Sequence, residues 1–149
     1  MSFEEELLAD LDGFIKSGDI SIEDSSEVYF GRLAEVFPLG GSKINWDQVT
    51  DSIVVTASNK NDVTEWVDFF YETIDEKSLS GNLVYINDSA IDCALTMPVE
   101  TLKQCIEQIL EYPGHHYLIG EKYTWCMTFT MEGDMTFGFK PKTIQDTHL

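Results

Sequence analysis

Asp62, Glu65, Asp68, Glu72, Asp75 and Glu76 fall within fifteen residues, in the stretch DVTEWVDFFYETIDE. Carboxylates can do three kinds of chemistry. They move protons, hold metal ions, or pair with ammonium and guanidinium groups. Their spacing selects among these. At roughly 100° per residue on a helix, all six fall in an arc of about 140°. Val63, Trp66, Val67, Phe70 and Ile74 fall within about 100° of one another on the other side, as an apolar stripe. The acids therefore form one anionic face along about four turns. No Lys or Arg lies between Lys60 and Lys77 to offset it. Like charges at i, i+3 and i+4 each destabilise a helix by a few tenths of a kcal/mol. A face tuned for stability alone would use more lysine.

Phe69 falls inside the anionic arc. An exposed aromatic ringed by carboxylates suits a basic, partly apolar protein partner. The alternative is that Phe69 is covered by residues 1–50. Tyr71 lies at the margin of the apolar stripe. The expected partner-binding set is Asp62, Glu65, Asp68, Phe69, Glu72, Asp75 and Glu76, with no catalytic, cofactor or metal residues.

Other chemistry is sparse. His115 and His116 are the only histidines outside the tail. As strand neighbours they point to opposite faces, so at most one could enter a site. No nucleophile elbow, phosphate-binding loop, dinucleotide-binding glycine pattern or zinc-protease motif is present. Cys93, Cys105 and Cys126 form no close pair and read as reduced, buried thiols. The segment GDISIED resembles half of a calcium loop, but its first ligand positions would be Gly13 and Ile15, which offer no carboxylate. The Glu132-Gly133-Asp134 turn reads as a solvated hairpin rather than an anionic recognition tip.

The whole chain carries 27 acids and 9 bases, for a net charge of −18. Residues 1–76 hold 18 of the acids and 4 of the bases. That field repels nucleic acid and anionic membranes and draws in basic proteins. With 149 residues, 43% of them hydrophobic, one domain spanning 1–149 is expected, with a frayed tail from 141. No apolar run reaches membrane-spanning length, and the acidic N-terminus is unlike a signal peptide. A cytoplasmic location is expected.

The positioning elements follow from period and punctuation. A helical stripe runs through Phe3, Leu7, Leu8, Leu11 and Phe14 or Ile15. A second helix is expected from Asp24, with Glu27 as capping partner, burying Val28, Leu33 and Val36 or Phe37. Residues 53–57, IVVTA, read as a short buried strand. The acidic helix follows. Strands are expected at 83–86 and 91–95, then a helix opened by Pro98 that buries Val99, Leu102, Cys105, Ile106, Ile109 and Leu110. Residues 116–119, 123–131 and 135–140 alternate as a three-strand meander. Tyr123, Trp125, Met127, Phe129 and Met131 are expected on its core face, and the intervening threonines half-exposed. The fold class is α+β: helices packed on a largely antiparallel sheet ending in that meander.

The stretch EYPGHHYLIGEKYTWCMTFTMEGDMTFGF, residues 111–139, resembles the C-terminal part of bacterial immunity proteins from contact-dependent growth inhibition and other polymorphic toxin systems. The likeness lies in the aromatic-rich strand around Trp125-Cys126, the Glu132-Gly133-Asp134 turn and Phe137-Gly138. It covers about a fifth of the chain and supplies no binding residues, so the site rests on the helix. The resemblance implies a stoichiometric inhibitor that neutralises a cognate basic toxin, often a nuclease. Two other readings compete: a DNA mimic that blocks a DNA-binding protein, and an enzyme using a cleft near His115 or His116.

Overall fold

The computed structural model describes residues 1–40, 43–59 and 62–141. Residues 41–42 and 60–61 lie outside them, as do residues 142–149 of the tail expected to fray, with His148.

Seven strands form one sheet in the order β1-β6-β5-β7-β8-β9-β4, and every adjacent pair is antiparallel. They are β1 (Ser21–Glu23), β4 (Ile53–Thr56), β5 (Asn82–Asn87), β6 (Ala94–Pro98), β7 (His116–Gly120), β8 (Trp125–Phe129) and β9 (Asp134–Phe139). A separate two-stranded sheet pairs β2 (Leu39–Gly40) antiparallel with β3 (Lys43–Ile44). The meander β7-β8-β9 forms as the alternation predicts, and the α+β class holds.

Both faces of the sheet are covered. Because side chains alternate along a strand, two residue sets separate cleanly. Leu83, Tyr85, Leu118, Met127, Phe129 and Phe137 join one core with α1 (Phe3–Asp10), α4 (Thr64–Glu76) and α5 (Val99–Leu110). Ile86, Ala94, Tyr117, Ile119 and Cys126 join the other with α3 (Glu27–Val36) and the segment after it, through Leu33, Phe37, Ile44 and Val49. A short helix, α2 (Asp12–Lys16), extends the N-terminal layer.

Several expectations are corrected by this three-layer packing. Thr128 and Thr130 are buried, as is Thr136 on β9, because the segment after α3 lies over that face. Thr124 stays exposed. Tyr123 packs in the second core, and Met131, past the end of β8, is exposed. The strand expected at 91–95 is displaced to Ala94–Pro98, since Ile91 and Cys93 enter the core from a loop. α3 starts at Glu27 rather than Asp24, and Val28 is 76% exposed. The IVVT strand is not buried. Among the described residues β4 is an edge, paired only with β9, and Val54 and Val55 face solvent. Its β-branched residues signal strand geometry but not depth.

Turn chemistry ties the layers together. Gly133 takes φ +93, which favours glycine. Its carbonyl accepts the Ala57 N–H at 2.8 Å, joining the β8–β9 turn to the end of β4. Lys43 reaches Glu132 on the same turn at 2.6 Å. Gly138 lies under the Trp46 ring: a Cβ there would stand 2.5 Å from the indole. The turn and glycine that carry the sequence likeness thus have packing reasons of their own.

Candidate partner-binding surface

α4 divides as its periodicity predicts, with one exception. Trp66, Phe70 and Ile74 are buried, and Val63 and Val67 are half-buried at the stripe margins. The exception is Phe69. It is only 8% exposed and meets Phe129 of β8 edge-on, with ring centroids 6.0 Å apart. The sheet, and not residues 1–50, receives it. Trp66 lies against the same ring at 5.5 Å. The helix sits close enough to β8 that its buried face takes in Phe69 and Thr73 beyond the five-residue stripe. Phe69 is therefore core, and it leaves the binding set.

The carboxylates divide as well. Glu65 is half-buried, and both its oxygens accept the Ser58 N–H at 3.0 Å. The Asn59 N–H adds a third bond at 3.3 Å. Glu65 thus closes the loop between β4 and α4. In the first turn the Thr64 hydroxyl, together with the Thr64 N–H that donates to Asp62 at 2.9 Å, holds the Asp62 carboxyl below the usual range. Both contacts answer N–H groups that lack strand or helix partners.

Asp68, Glu72 and Asp75 do no such work. They are exposed, and among the described residues none of the three carboxylates makes a hydrogen bond or ion pair. Glu76 meets only the adjacent Lys77, at 3.7 Å. Beside them Tyr71 is 41% exposed, with its hydroxyl donating to the Lys103 carbonyl on α5. Tyr71 replaces Phe69 as the aromatic on this surface. Its position at the stripe margin was the available signal.

Elsewhere, acids are spent on loops. Glu4 of α1 accepts from the Asp92 and Cys93 N–H groups at 3.0 and 2.7 Å. Glu121 accepts from Asn82 N–H at 3.0 Å, and Asp10 accepts from the Tyr112 hydroxyl at 2.6 Å. Part of the negative charge is therefore architectural. Spacing alone did not separate these acids from Asp68, Glu72 and Asp75.

The histidines take opposite faces. His116 is fully buried against Trp66, and its Nδ1 lies 2.7 Å from the Tyr85 hydroxyl. Asn87 donates to that hydroxyl at 3.2 Å. Burial holds the imidazole down to about 4 and pushes the Tyr85 phenol up. His116 Nε2 and Trp66 Nε1 have no partner among the described residues. His115 Nδ1 accepts the Met131 N–H at 3.0 Å. That nitrogen cannot also present a proton to Glu132, so their 3.9 Å approach is not an ion pair. The three cysteines are free and buried, and burial pushes the Cys105 thiol up to about 11. Among the described residues no group of three or more His, Cys, Asp or Glu side chains could hold a metal ion, and no helix is long and apolar enough to cross a membrane.

No protein family and no curated protein sequence matches the chain.

Proposed function

We propose that the chain is a stoichiometric protein inhibitor, an immunity protein that binds a basic cognate toxin in the cytoplasm. The supporting observation is the unpaired state of Asp68, Glu72 and Asp75. They share one exposed helix face with Glu76 and have no partner among the described residues. Lysines and arginines of a phosphate-handling enzyme would complete them. Such pairs speed association and set specificity. Tyr71 at the border of the face would supply desolvated contact area and slow release. The mechanism is occlusion of the toxin's basic surface, and no reaction by the inhibitor is required.

The test is affinity capture from nuclease-treated lysate of the source cells at low and high salt, repeated with Glu72→Lys and Asp75→Lys together. One stoichiometric basic protein, retained by the wild type and lost by the variant, supports the reading. Equal capture by the variant removes α4 from the interface. Many DNA-binding proteins, displaced together by duplex DNA, would favour the DNA-mimic reading instead.

A further inference from the structure

On the sheet face opposite α4, the segment after α3 leaves a cleft of about 360 Å³ beside the β4 edge. Thr128, Thr130 and Thr136 of the sheet line it, together with Trp46, Asp47 and Asp134. Its size lies at the lower end of small-ligand pockets, about 300–1,000 Å³.

Its charge is simple. Lys43 also borders the cleft, but its ammonium is held by Glu132 at 2.6 Å, and that contact brings the Glu132 carboxyl down to about 2. The positive charge is thereby cancelled. Asp134 accepts the Thr56 hydroxyl at 3.1 Å and has no basic partner among the described residues. Asp47 is exposed, with no hydrogen bond or ion pair among the described residues. An anion entering here would meet two uncompensated carboxylates.

The lining is rich in acceptors. Thr128 and Thr136 are 3% and 2% exposed, and their hydroxyls bond to each other. One such bond uses one proton and one lone pair, so further lone pairs remain on both oxygens. Thr130 accepts the Asp134 N–H at 3.1 Å. Trp46 is fixed by its seat on Gly138 and by Phe37, whose ring centroid is 6.1 Å away. An indole attracts cations. A carboxylate favours a planar, forked donor over a point charge.

We propose that this cleft seats an arginine side chain presented by a protein partner, with the guanidinium held by Asp47 and Asp134 and stacked on Trp46. The identity of the presenting partner rests on the inhibitor reading; the chemistry of the cleft does not. Lysine would bind more weakly, because an ammonium neither stacks nor pairs in two places. Citrulline matches arginine in shape but has no charge.

The probe is Nα-acetyl-arginine methylamide, titrated into the full chain and followed by the Trp46 indole N–H in NMR spectra. Trp66 and Trp125 are buried and act as internal controls. The expected result is a saturable Trp46 shift, weakened at least fivefold with the lysine analogue, absent with citrulline, and lost in Asp47→Asn. Asp47 is exposed, so that variant should fold; an unchanged melting temperature would verify it. Three results would each overturn the proposal: no saturable shift in the millimolar range, equal binding of citrulline, or unchanged binding by Asp47→Asn. The probe needs no toxin. Its failure leaves the α4 reading intact, and a missing protein partner leaves this one intact.

Discussion

α4 and α5 cover the same sheet face side by side and bury comparable apolar stripes. Their outer faces differ. On α5, Lys103 pairs with Glu100 at 3.1 Å, and Gln104 donates to the Glu100 carbonyl at 3.4 Å. On α4, Asp68, Glu72, Asp75 and Glu76 stand at i, i+4, i+7 and i+8, and Lys77 pairs with Glu76 at 3.7 Å. Sealing the core requires only the inner stripe. The concentrated charge on α4 is extra to packing and opposes helix formation. That makes it a candidate for binding, whereas α5 is an ordinary solvated helix.

The sharpest way to break the comparison is on the inner faces, which should behave alike. Phe69→Ala should cost about 3 kcal/mol or more, since it removes a buried ring from beside Phe129. Ile106→Ala on α5 should cost a similar amount. Urea unfolding checks both. A Phe69 variant of unchanged stability that loses partner affinity would return Phe69 to the interface.

Acid titration probes the junction of α4 with the sheet. His116, against Trp66, protonates near 6.5 in the unfolded chain but only near 4 when buried. Between those values the unfolded state holds a proton that the native state lacks. Stability therefore falls as pH drops through that window and is flat with respect to this group above and below it. The loss is roughly 3 kcal/mol. Protonation of surface acids acts the other way by relieving repulsion. The comparison that isolates the histidine is with His116→Gln, which should lose less stability from pH 7 to pH 4 in denaturant titrations. An identical pH profile would show that the ring does not control acid unfolding.

Outer-face charge reversal sharpens the contrast between the two helices. Glu72→Lys should weaken partner binding at least tenfold while raising stability by about 1 kcal/mol, since Asp68, Asp75 and Glu76 each stand three or four residues away and each repulsive pair costs a few tenths of a kcal/mol. Glu107→Lys at an exposed α5 position should leave binding unchanged. Calorimetric titration with the partner distinguishes them, and equal effects would mean that only net charge matters. A smaller effect separates Glu65 from its neighbours. Glu65→Gln should lower stability by about 1 kcal/mol with no change in affinity, because its role is to accept from Ser58 and Asn59.

Much of the architecture was legible in the sequence. The α5 stripe from Val99 to Leu110 is buried as its spacing predicts. The meander follows from alternation in β8 and β9. What misled were residues whose neighbours come from afar. The Thr128 side of β8 looked half-exposed because nothing local reveals that the segment after α3 crosses it. IVVT looked deep because β-branched residues suit any strand, and only its place beside β9 made it an edge. The candidate site divided likewise: Asp68, Glu72, Asp75 and Glu76 stayed on the surface, while Glu65 was drawn into a loop and Phe69 into the core.

The sequence by itself determined the local periods, the α+β class and the strong negative charge, because these depend on residue spacing and type. Only the tertiary structure decided which carboxylates remain free, that Phe69 faces Phe129, and that Trp46 and three threonines enclose a cleft with Asp47 and Asp134. A carboxylate is available to a partner only if no nearby backbone N–H claims it. Where such a donor stands is set by chain segments far apart in sequence.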